Sequence, residues 1–261
     1  MARTLIPLGT SGWMPTSTRE TMCFAVETPE ELVFFDLGTG VSRLSSQIGR
    51  DLLARHQRII VLLSHYHLDH IAGLVYLPRF FIGKQVIIAG PGLGIYSESV
   101  EQILGRLCSR PFFALSPSQF PMQIIYQDLL PGSTRIGNLE VISRLQNHSD
   151  PSFGYRVSDV AYLTDTSCSI ESTELCRGCA IMIHEAMMDA GEYALLPQNV
   201  DLAHSAVACV AELARAAGVK MLVLAHVNPA YSVERLAAMH QEATRIFPAT
   251  VVAEDLVVIE Q

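Results

Sequence analysis

Residues 59–70 read Ile-Ile-Val-Leu-Leu-Ser-His-Tyr-His-Leu-Asp-His, an apolar run followed by three histidines and one aspartate. The apolar half predicts a buried strand. Where such a strand turns into a loop, His65 and His67 can point to one side while the next turn brings Asp69 and His70 to the other. Imidazole and carboxylate groups are common protein ligands of zinc. The segment therefore predicts that one loop serves two metal ions.

Three more ligand-type residues follow apolar runs further along the chain. His148 comes after residues 139–145, Asp165 after residues 161–163, and His226 after residues 221–224. One short loop cannot complete the coordination of two ions, so other segments must contribute. Polar residues at the carboxyl ends of strands are a common source of sites built on a sheet. We therefore expect these three residues to join the first four.

Strand and helix patterns organise the rest of the chain. Predicted strands cover residues 4–8, 22–27, 32–36, 58–63, 85–89, 122–126, 139–145, 153–157, 161–163, 180–183, 221–224 and 251–258. Predicted helices cover residues 41–54, 95–107, 203–217 and 233–244. Strand pairs that give way to alternating strands and helices indicate an α/β protein with two packed sheets and helices on their outer faces.

Two details refine this pattern. In the third helix Val207, Val210 and Leu213 recur three residues apart, Asp201 is a candidate cap at its start, and Gly218 follows its end. Residues 110–121 contain three prolines and predict either an exposed loop near the entrance of the site or a plain connection.

Composition limits the function classes. The 261 residues are 49% apolar, which suits a single domain over residues 1–261 with a large core. No apolar run approaches the ~20 residues of a membrane span, and no signal peptide is recognisable, so we expect a cytoplasmic protein with no membrane partner. The net charge is −8, only Lys84 and Lys220 are lysines, and no two basic residues are adjacent. This argues against a long nucleic acid as partner.

Six cysteines are scattered through the chain, and we expect free thiols. Cys176 and Cys179 form a Cys-x-x-Cys motif, but no second pair stands at the spacing of a zinc ribbon. Ordinary partly buried cysteines are therefore the favoured interpretation, and the role of this pair stays open.

The order His65-x-His67-x-Asp69-His70, His148, Asp165, His226 resembles the ligand set of the metallo-β-lactamase superfamily. The Leu-Gly-Thr-Ser-Gly turn at residues 8–12 and the Phe-Phe-Asp-Leu-Gly run at residues 34–38 are also similar to the opening of that superfamily. The resemblance covers nearly the whole chain. It implies a four-layer αββα sandwich, with the metal ions at one edge between the sheets.

Carried over residue by residue, the resemblance implies one ion on His65, His67 and His148. It implies a second ion on Asp69, His70 and His226, with Asp165 bridging the two. Hydrolysis would then use a metal-activated hydroxide. Zinc is the expected metal, while iron and manganese stay open. Asp36, which follows a buried strand, is expected to hydrogen-bond a ligand histidine and set its tautomer.

The downstream residues resemble the ribonuclease Z branch, which includes phosphodiesterases. His184-Glu185-Ala186, His204-Ser205 and the Leu-Ala-His-Val-Asn-Pro run at residues 224–229 carry this resemblance. It implies that His204 stabilises the transition state or protonates the leaving group, and that Glu185 acts through a neighbouring residue. Asp69, His204 and Glu185 are thus the catalytic candidates. The alternative for His204 is a solvent-facing residue at a helix start.

The chain departs from tRNA-processing members in one respect. Only 17 positions separate His148 from Asp165, which leaves no room for the inserted arm that grips tRNA in those members. We therefore expect a small-molecule substrate, a phosphodiester or cyclic phosphate, and a metal-dependent phosphodiesterase. The alternatives are a lactonase or thioesterase of the same superfamily and, less favoured, a non-catalytic metal-binding protein. A homodimer is left open.

Overall fold

The computed structural model describes residues 4–29, 31–195 and 203–260. Its strands are β1 (Thr4–Gly9), β2 (Cys23–Glu27), β3 (Leu32–Phe35), β4 (Arg58–Leu62), β5 (Gln85–Pro91), β6 (Gln123–Leu129), β7 (Gly132–Ile136), β8 (Leu139–Gln146), β9 (Ser152–Val157), β10 (Val160–Leu163), β11 (Ile181–Glu185), β12 (Met221–Ala225), β13 (Thr250–Val252) and β14 (Ile259–Glu260).

The α-helices are α1 (Gln47–Arg55), α2 (Leu68–Ile71), α3 (Leu77–Phe80), α4 (Leu93–Tyr96), α5 (Val100–Leu107), α6 (Ile170–Cys176), α7 (Ala190–Ala194), α8 (Val207–Ala217) and α9 (Val233–Ile246). Short 3₁₀ helices stand at Thr39–Ser45, Ala72–Tyr76 and Pro117–Gln119. Among the described residues, no helix combines the length and the apolar character that crossing a bilayer requires.

The described strands form two mixed sheets. The order of the first is β14-β1-β2-β3-β4-β5-β6, and the order of the second is β13-β12-β11-β10-β9-β8-β7. Neighbours from β3 to β6 run parallel, and so do neighbours from β10 to β13. Parallel neighbours place their carboxyl ends at one edge of a sheet, where α/β proteins commonly build sites.

Apolar side chains fill the space between the two sheets. Phe24 and Phe35 of the first sheet and Tyr155 and Tyr162 of the second are all fully buried there. The rings of Phe35 and Tyr162 stack with centroids 4.8 Å apart. Ring contacts of this kind add about 0.5–1.5 kcal/mol to the burial of apolar surface, so they help to fix the two sheets against each other.

Helices cover the outer faces of both sheets. The helix side of the second sheet packs against Val207, Val210 and Leu213 of α8, the three positions that recur in the sequence. Gly218 ends α8 with a left-handed φ of 65°, a conformation that glycine adopts at little cost. The first sheet packs in the same way against α1 and α5. The predicted four-layer αββα sandwich is thereby confirmed.

Several predicted boundaries are wrong. The predicted helix at 41–54 is a 3₁₀ helix followed by α1, and the one at 95–107 breaks at Ser97, whose φ is 60°. Ser99 then starts α5 with a capping box, a local signal that periodicity alone does not detect. The predicted strand at 251–258 is only β13, and β7 and α6 were not predicted. Asp201 lies outside the described residues.

The proline-rich stretch 110–121 is a connection that lies away from the site. It precedes β6, and the Gly83 amide, next to the start of β5, donates to the Pro121 carbonyl. The stretch therefore lies at the amino ends of these parallel strands. The expectation that it borders the site entrance is wrong. The organisation of residues 1–261 as one domain stays a prediction.

Candidate metal centre

The loop after β4 is held by both sheets. The Leu63 amide donates to the Ala89 carbonyl, which extends the pairing with β5. From the second sheet, Tyr155 Oη donates to the Leu63 carbonyl at 2.6 Å, and the Phe153 amide donates to the Ser64 carbonyl at 2.9 Å. His65 therefore leaves the strand at a fixed point and is fully buried between the layers.

Helix α2 turns the second half of the motif around. It begins directly after His67, and the carbonyl of His70 accepts from the Leu37 amide at 2.7 Å. A Cβ atom at position 38 would lie 2.2 Å from the Asp69 carbonyl oxygen, so the chain can pass this closely only with glycine there. The arrangement brings Asp69 and His70 to the side opposite His67.

The second sheet supplies three further side chains from strand ends at the same edge. His148 follows β8, Asp165 follows β10, and His226 directly follows β12. Asp165 and His226 have left-handed backbone conformations, with φ of 48° and 47°. Such conformations cost of order 1–3 kcal/mol for residues other than glycine, and they are concentrated at functional sites.

These residues form a first cluster of His65, His67, His148 and Asp165, whose ligand-type atoms all lie within 4.8 Å of one another. Asp165 Oδ2 lies 3.3 Å from His65 Nε2 and 3.5 Å from His148 Nε2. His67 faces the cluster with Nδ1, which lies 3.3 Å from His148 Nε2. Three histidines and one carboxylate therefore converge on one small volume.

A second cluster contains Asp69, His70, Asp165 and His226, also within 4.8 Å. His70 Nε2 lies 3.3 Å from Asp69 Oδ2 and 3.4 Å from Asp165 Oδ2. His226 Nε2 lies 3.4 Å from Asp69 Oδ2 and 2.8 Å from Asp165 Oδ1. Among the described residues, Asp165 alone is common to these two clusters, so it could be shared between two ions.

The separations fit metal ligands. Atoms bound at about 2.1 Å in a tetrahedral arrangement lie about 3.4 Å from one another, close to most of the separations found here. Within the described chain, the buried Nε2 atoms of His65 and His70 have no hydrogen-bond partner. Polar atoms buried in this way are costly unless a further group satisfies them. The donor set of imidazoles and carboxylates therefore fits two divalent ions.

Hydrogen bonds on the far side of the rings orient the histidines. Asp36 Oδ2 accepts from His70 Nδ1 at 2.8 Å, and the same carboxylate accepts from Tyr162 Oη and from Ser64 Oγ. The expected hydrogen bond between Asp36 and a histidine of the predicted ligand set is thus present, with His70 as the partner. A proton on Nδ1 leaves the Nε2 lone pair of His70 free to face the cluster.

Sequence reasoning missed the corresponding partner of His67. The carboxylate of Asp150 lies 2.9 Å from His67 Nε2 at the exposed rim of the site. This contact leaves Nδ1 of His67 as the atom that faces the cluster. A carboxylate two residues after His148 was a visible signal, but nothing in the local pattern connects it to a histidine 83 positions earlier.

The pKa shifts of the clustered histidines and aspartates are those expected of a site that binds cations. Burial and the neighbouring His70 lower the pKa of His65 to about 4, so its imidazole is neutral and able to bind metal. Burial would raise the pKa of Asp165, but the charges of His226 and His70 outweigh it and hold that pKa well below its ordinary value. Burial would lower the pKa of His226, yet Asp165 and Asp69 raise it to about 10. The carboxylates thus attract positive charge.

His204 and Glu185 form a pair beside the two clusters. His204 Nδ1 lies 3.1 Å from each carboxylate oxygen of Glu185, which is fully buried at the end of β11. The His204 ring lies against those of His148 and His226, with centroids 5.4 and 5.6 Å away. Burial opposes a charge on His204, but Glu185 outweighs this and raises its pKa. His204 is therefore part of the site, in contrast to the solvent-facing alternative.

Several further serine, histidine and cysteine residues lie outside the first and second clusters. Ser205 is buried, and its hydroxyl donates to the Thr166 carbonyl at 2.6 Å, so it holds the segment in place. His184 precedes Glu185 in β11, and among the described hydrogen bonds its Nδ1 contacts only the Glu185 carbonyl. His56 contacts Glu27, and His240 contacts the Thr250 carbonyl, both away from the site and only half-buried. Cys176 and Cys179 are buried free cysteines.

Comparisons with known proteins agree with this geometry. Residues 33–227 match the model of the beta-lactamase superfamily domain. A ribonuclease Z from Methanopyrus kandleri is 29% identical over 290 aligned residues, which cover 95% of this chain and 94% of that protein.

Solved structures share the fold at low sequence identity. The metallo-beta-lactamase fold protein YhfI from Bacillus subtilis has a TM-score of 0.76, 19% identity and full coverage of both chains. A diphosphatase from the PhnP family has a TM-score of 0.68 at 20% identity, with 98% of this chain and 97% of that one covered. The short form of human tRNase Z has a TM-score of 0.69 at 21% identity, with 98% of both covered. The chain is similar in sequence to ribonuclease Z, and it belongs to the metallo-β-lactamase superfamily and is a hydrolase.

Proposed function

We propose that the protein is a dinuclear phosphodiesterase that acts on a small phosphodiester or cyclic phosphate. In this proposal His65, His67 and His148 hold one divalent ion, zinc being the first candidate, Asp69, His70 and His226 hold the other, and Asp165 is shared between them. Two such ions would lower the pKa of a water molecule and polarise the phosphoryl oxygens of the substrate. The protein's own part is to orient these ligands, to attract the cations and to present His204.

The pairing of His204 with Glu185 carries the proposal. Because the buried carboxylate of Glu185 accepts from Nδ1, the other ring nitrogen, Nε2, lies on the opposite side of the imidazole. Glu185 raises the pKa of His204 and so favours the protonated, positively charged form of the ring more than in a free histidine. Close to His148 and His226, such a donor suits the charge that builds on phosphoryl oxygens and on the leaving group.

A charged donor such as His204 suits a phosphodiester substrate better than an ester or lactone substrate. A phosphodiester is negatively charged before, during and after the reaction, so a protonated imidazole assists at every stage. An ester or lactone develops charge only in the transition state, and a neutral donor suffices for it. A lactonase or thioesterase remains the second candidate, because the same histidine and aspartate clusters also suit a carbonyl substrate.

The short interval between His148 and Asp165 supports a small substrate. Between His148 and Asp165 the structure has only β9 and β10, which pair with each other through Val157 and Val160. The alignment with the Methanopyrus relative has 290 positions for 95% of 261 residues, so roughly 40 positions have no counterpart here. The name of that relative points to nucleic acid, and the net charge of −8 opposes it. Substrate size therefore needs a direct test.

A substrate panel on metal-loaded protein tests the proposal. We expect bis(p-nitrophenyl) phosphate and a 2′,3′-cyclic nucleotide to be hydrolysed with kcat/KM at least about 10²-fold above that for a lactone or a thioester, because the site donates to charged oxygens. A tRNA precursor with a 3′ extension should stay intact under the same conditions. Efficient trimming of the precursor would contradict the small substrate, and preference for the lactone would contradict the phosphodiesterase.

A further inference from the structure

Residues 11–14, shortly after the end of β1, form a loop at the edge of the second cluster, the rim loop. The Gly12 amide donates to the carbonyl of Val227, the residue after His226, at 3.0 Å. A Cβ atom at position 12 would lie 2.5 Å from Cε1 of the His226 ring. The backbone of the rim loop therefore packs directly against the ring of a predicted metal ligand.

Trp13 connects the rim loop to another ligand candidate. Its amide donates to Asp69 Oδ2 at 2.8 Å, and the same oxygen lies 3.4 Å from His226 Nε2. Because the bond between N and Cα is short, Cα of Trp13 lies no more than about 4.3 Å from this oxygen. An indole attached to that Cα atom can therefore reach the space beside the second cluster.

The Trp13 side chain contributes little to the fold. It is 74% exposed, so most of the indole surface is in contact with solvent. Its φ of 61° is a left-handed conformation, which a bulky residue adopts only at a cost. The turn is held instead by Ser11 Oγ, which donates to the Met14 carbonyl at 2.9 Å, and by the Met14 amide, which donates to the Gly12 carbonyl. Neither burial nor backbone preference therefore explains a tryptophan at this position.

The rim loop lies on the side of the centre that is open to solvent. His70 is fully buried, whereas His67 and Asp69 are partly exposed and Leu68 between them is exposed. The Trp13 amide contacts Asp69 on this open side. A substrate that approaches the clusters from solvent therefore meets an exposed aromatic side chain next to the carboxylate of Asp69.

We propose that Trp13 stacks on the base of a nucleotide substrate while the phosphodiester group lies at the two clusters. The proposal rests on the proposed phosphodiesterase function and names its substrate class. Every nucleobase has a planar π face, and stacking on an exposed aromatic side chain is largely independent of which base is present. In a nucleoside 2′,3′-cyclic phosphate only the ribose separates the phosphate from the base, so one small molecule can contact both the clusters and Trp13.

Intrinsic fluorescence measures this contact directly, because Trp13 is the only tryptophan in the sequence. Adenosine 5′-monophosphate, a monoester, is titrated into metal-loaded protein with excitation at the red edge of the tryptophan absorption. We expect saturable quenching of the fluorescence by this nucleotide. Ribose 5-phosphate, which carries a phosphate but no base, should cause no saturable quenching. Equal responses to the two compounds, or no response to either, would overturn the stacking.

Substitutions at position 13 distinguish stacking from simple apolar contact. Adenosine 2′,3′-cyclic phosphate and glycerol 1,2-cyclic phosphate share a cyclic phosphodiester and differ in the presence of a base, and phosphorus NMR follows the hydrolysis of both. Trp13→Ala and Trp13→Leu should lower kcat/KM for the nucleotide by about 5- to 150-fold, mainly through KM. The value for the glycerol compound should stay within about twofold of the wild type. Trp13→Phe keeps a ring and should lose less than Trp13→Leu, so equal losses in these two variants would contradict stacking.

Two controls separate stacking from damage to the site. Every variant keeps the backbone amide that contacts Asp69, so its metal content should match that of the wild type. Phe112→Ala removes another exposed aromatic side chain, in the stretch 110–121 away from the site, and should leave both substrates unaffected. Loss of metal in Trp13→Ala, or an equal loss of turnover on both substrates, would overturn the proposal. If the protein hydrolyses no phosphodiester, the proposed function fails, while quenching that requires the base still supports Trp13 as the residue that binds it.

Discussion

Replacing His204 with alanine is expected to lower the turnover of bis(p-nitrophenyl) phosphate by about 10²- to 10⁴-fold, the range that general acids and positioned donors supply. The metal content should stay at the wild-type level, because Nδ1 of His204 contacts Glu185 and His204 belongs to neither of the two clusters that share Asp165. Elemental analysis and steady-state kinetics on the same preparation separate the two effects.

Two further variants serve as controls for this result. His56→Ala removes a histidine that pairs with Glu27 away from the site, and its turnover should match that of the wild type. Glu185→Gln keeps the shape of the side chain but removes its charge, so its loss of turnover should be smaller than that of His204→Ala. Wild-type turnover in His204→Ala would remove the main reason to prefer a phosphodiester over a lactone.

Replacing Asp165 with alanine is expected to reduce the metal content from about two equivalents in the wild type to less than one. Asp165 is the residue common to both histidine and aspartate clusters, and its carboxylate balances the charge of both. Turnover should fall by at least about 10³-fold, since bound metal contributes several kcal/mol to transition-state stabilisation. Elemental analysis after gentle purification measures the first effect.

Asp150→Ala is the matched control among the carboxylates. Asp150 contacts the outer nitrogen of His67 and belongs to neither cluster, so its loss should weaken metal binding by about 10- to 100-fold without removing the site. Unchanged metal content in Asp165→Ala would show that this residue is not shared between ions. A wild-type protein that stays metal-free after incubation with zinc, manganese and iron salts would overturn the dinuclear centre itself.

The ligand candidates were visible in the sequence because each segment that carries them closely follows an apolar strand. His65, His148, Asp165 and His226 all stand within three residues of a strand end, and the order of these strands along the chain is typical of one superfamily. Strand boundaries were less certain where a local feature interrupts a pattern. Ser97 breaks a predicted helix with a left-handed backbone, and the first part of the predicted helix at 41–54 is a 3₁₀ helix that packs against β1.

The sequence by itself therefore determined the class of the fold, the family and the residues that can bind metal, since these follow from short-range periodicity and from spacing along the chain. Only the tertiary structure decided which residues support them: Glu185 contacts His204, Asp36 contacts His70 and Tyr162, and Asp150 contacts His67. These partners are separated by 19 to 126 positions along the chain, and no periodic sequence pattern links them. They meet because two sheets pack face to face and bring their strand ends to a common edge, and this packing depends on the whole core rather than on any local run of residues.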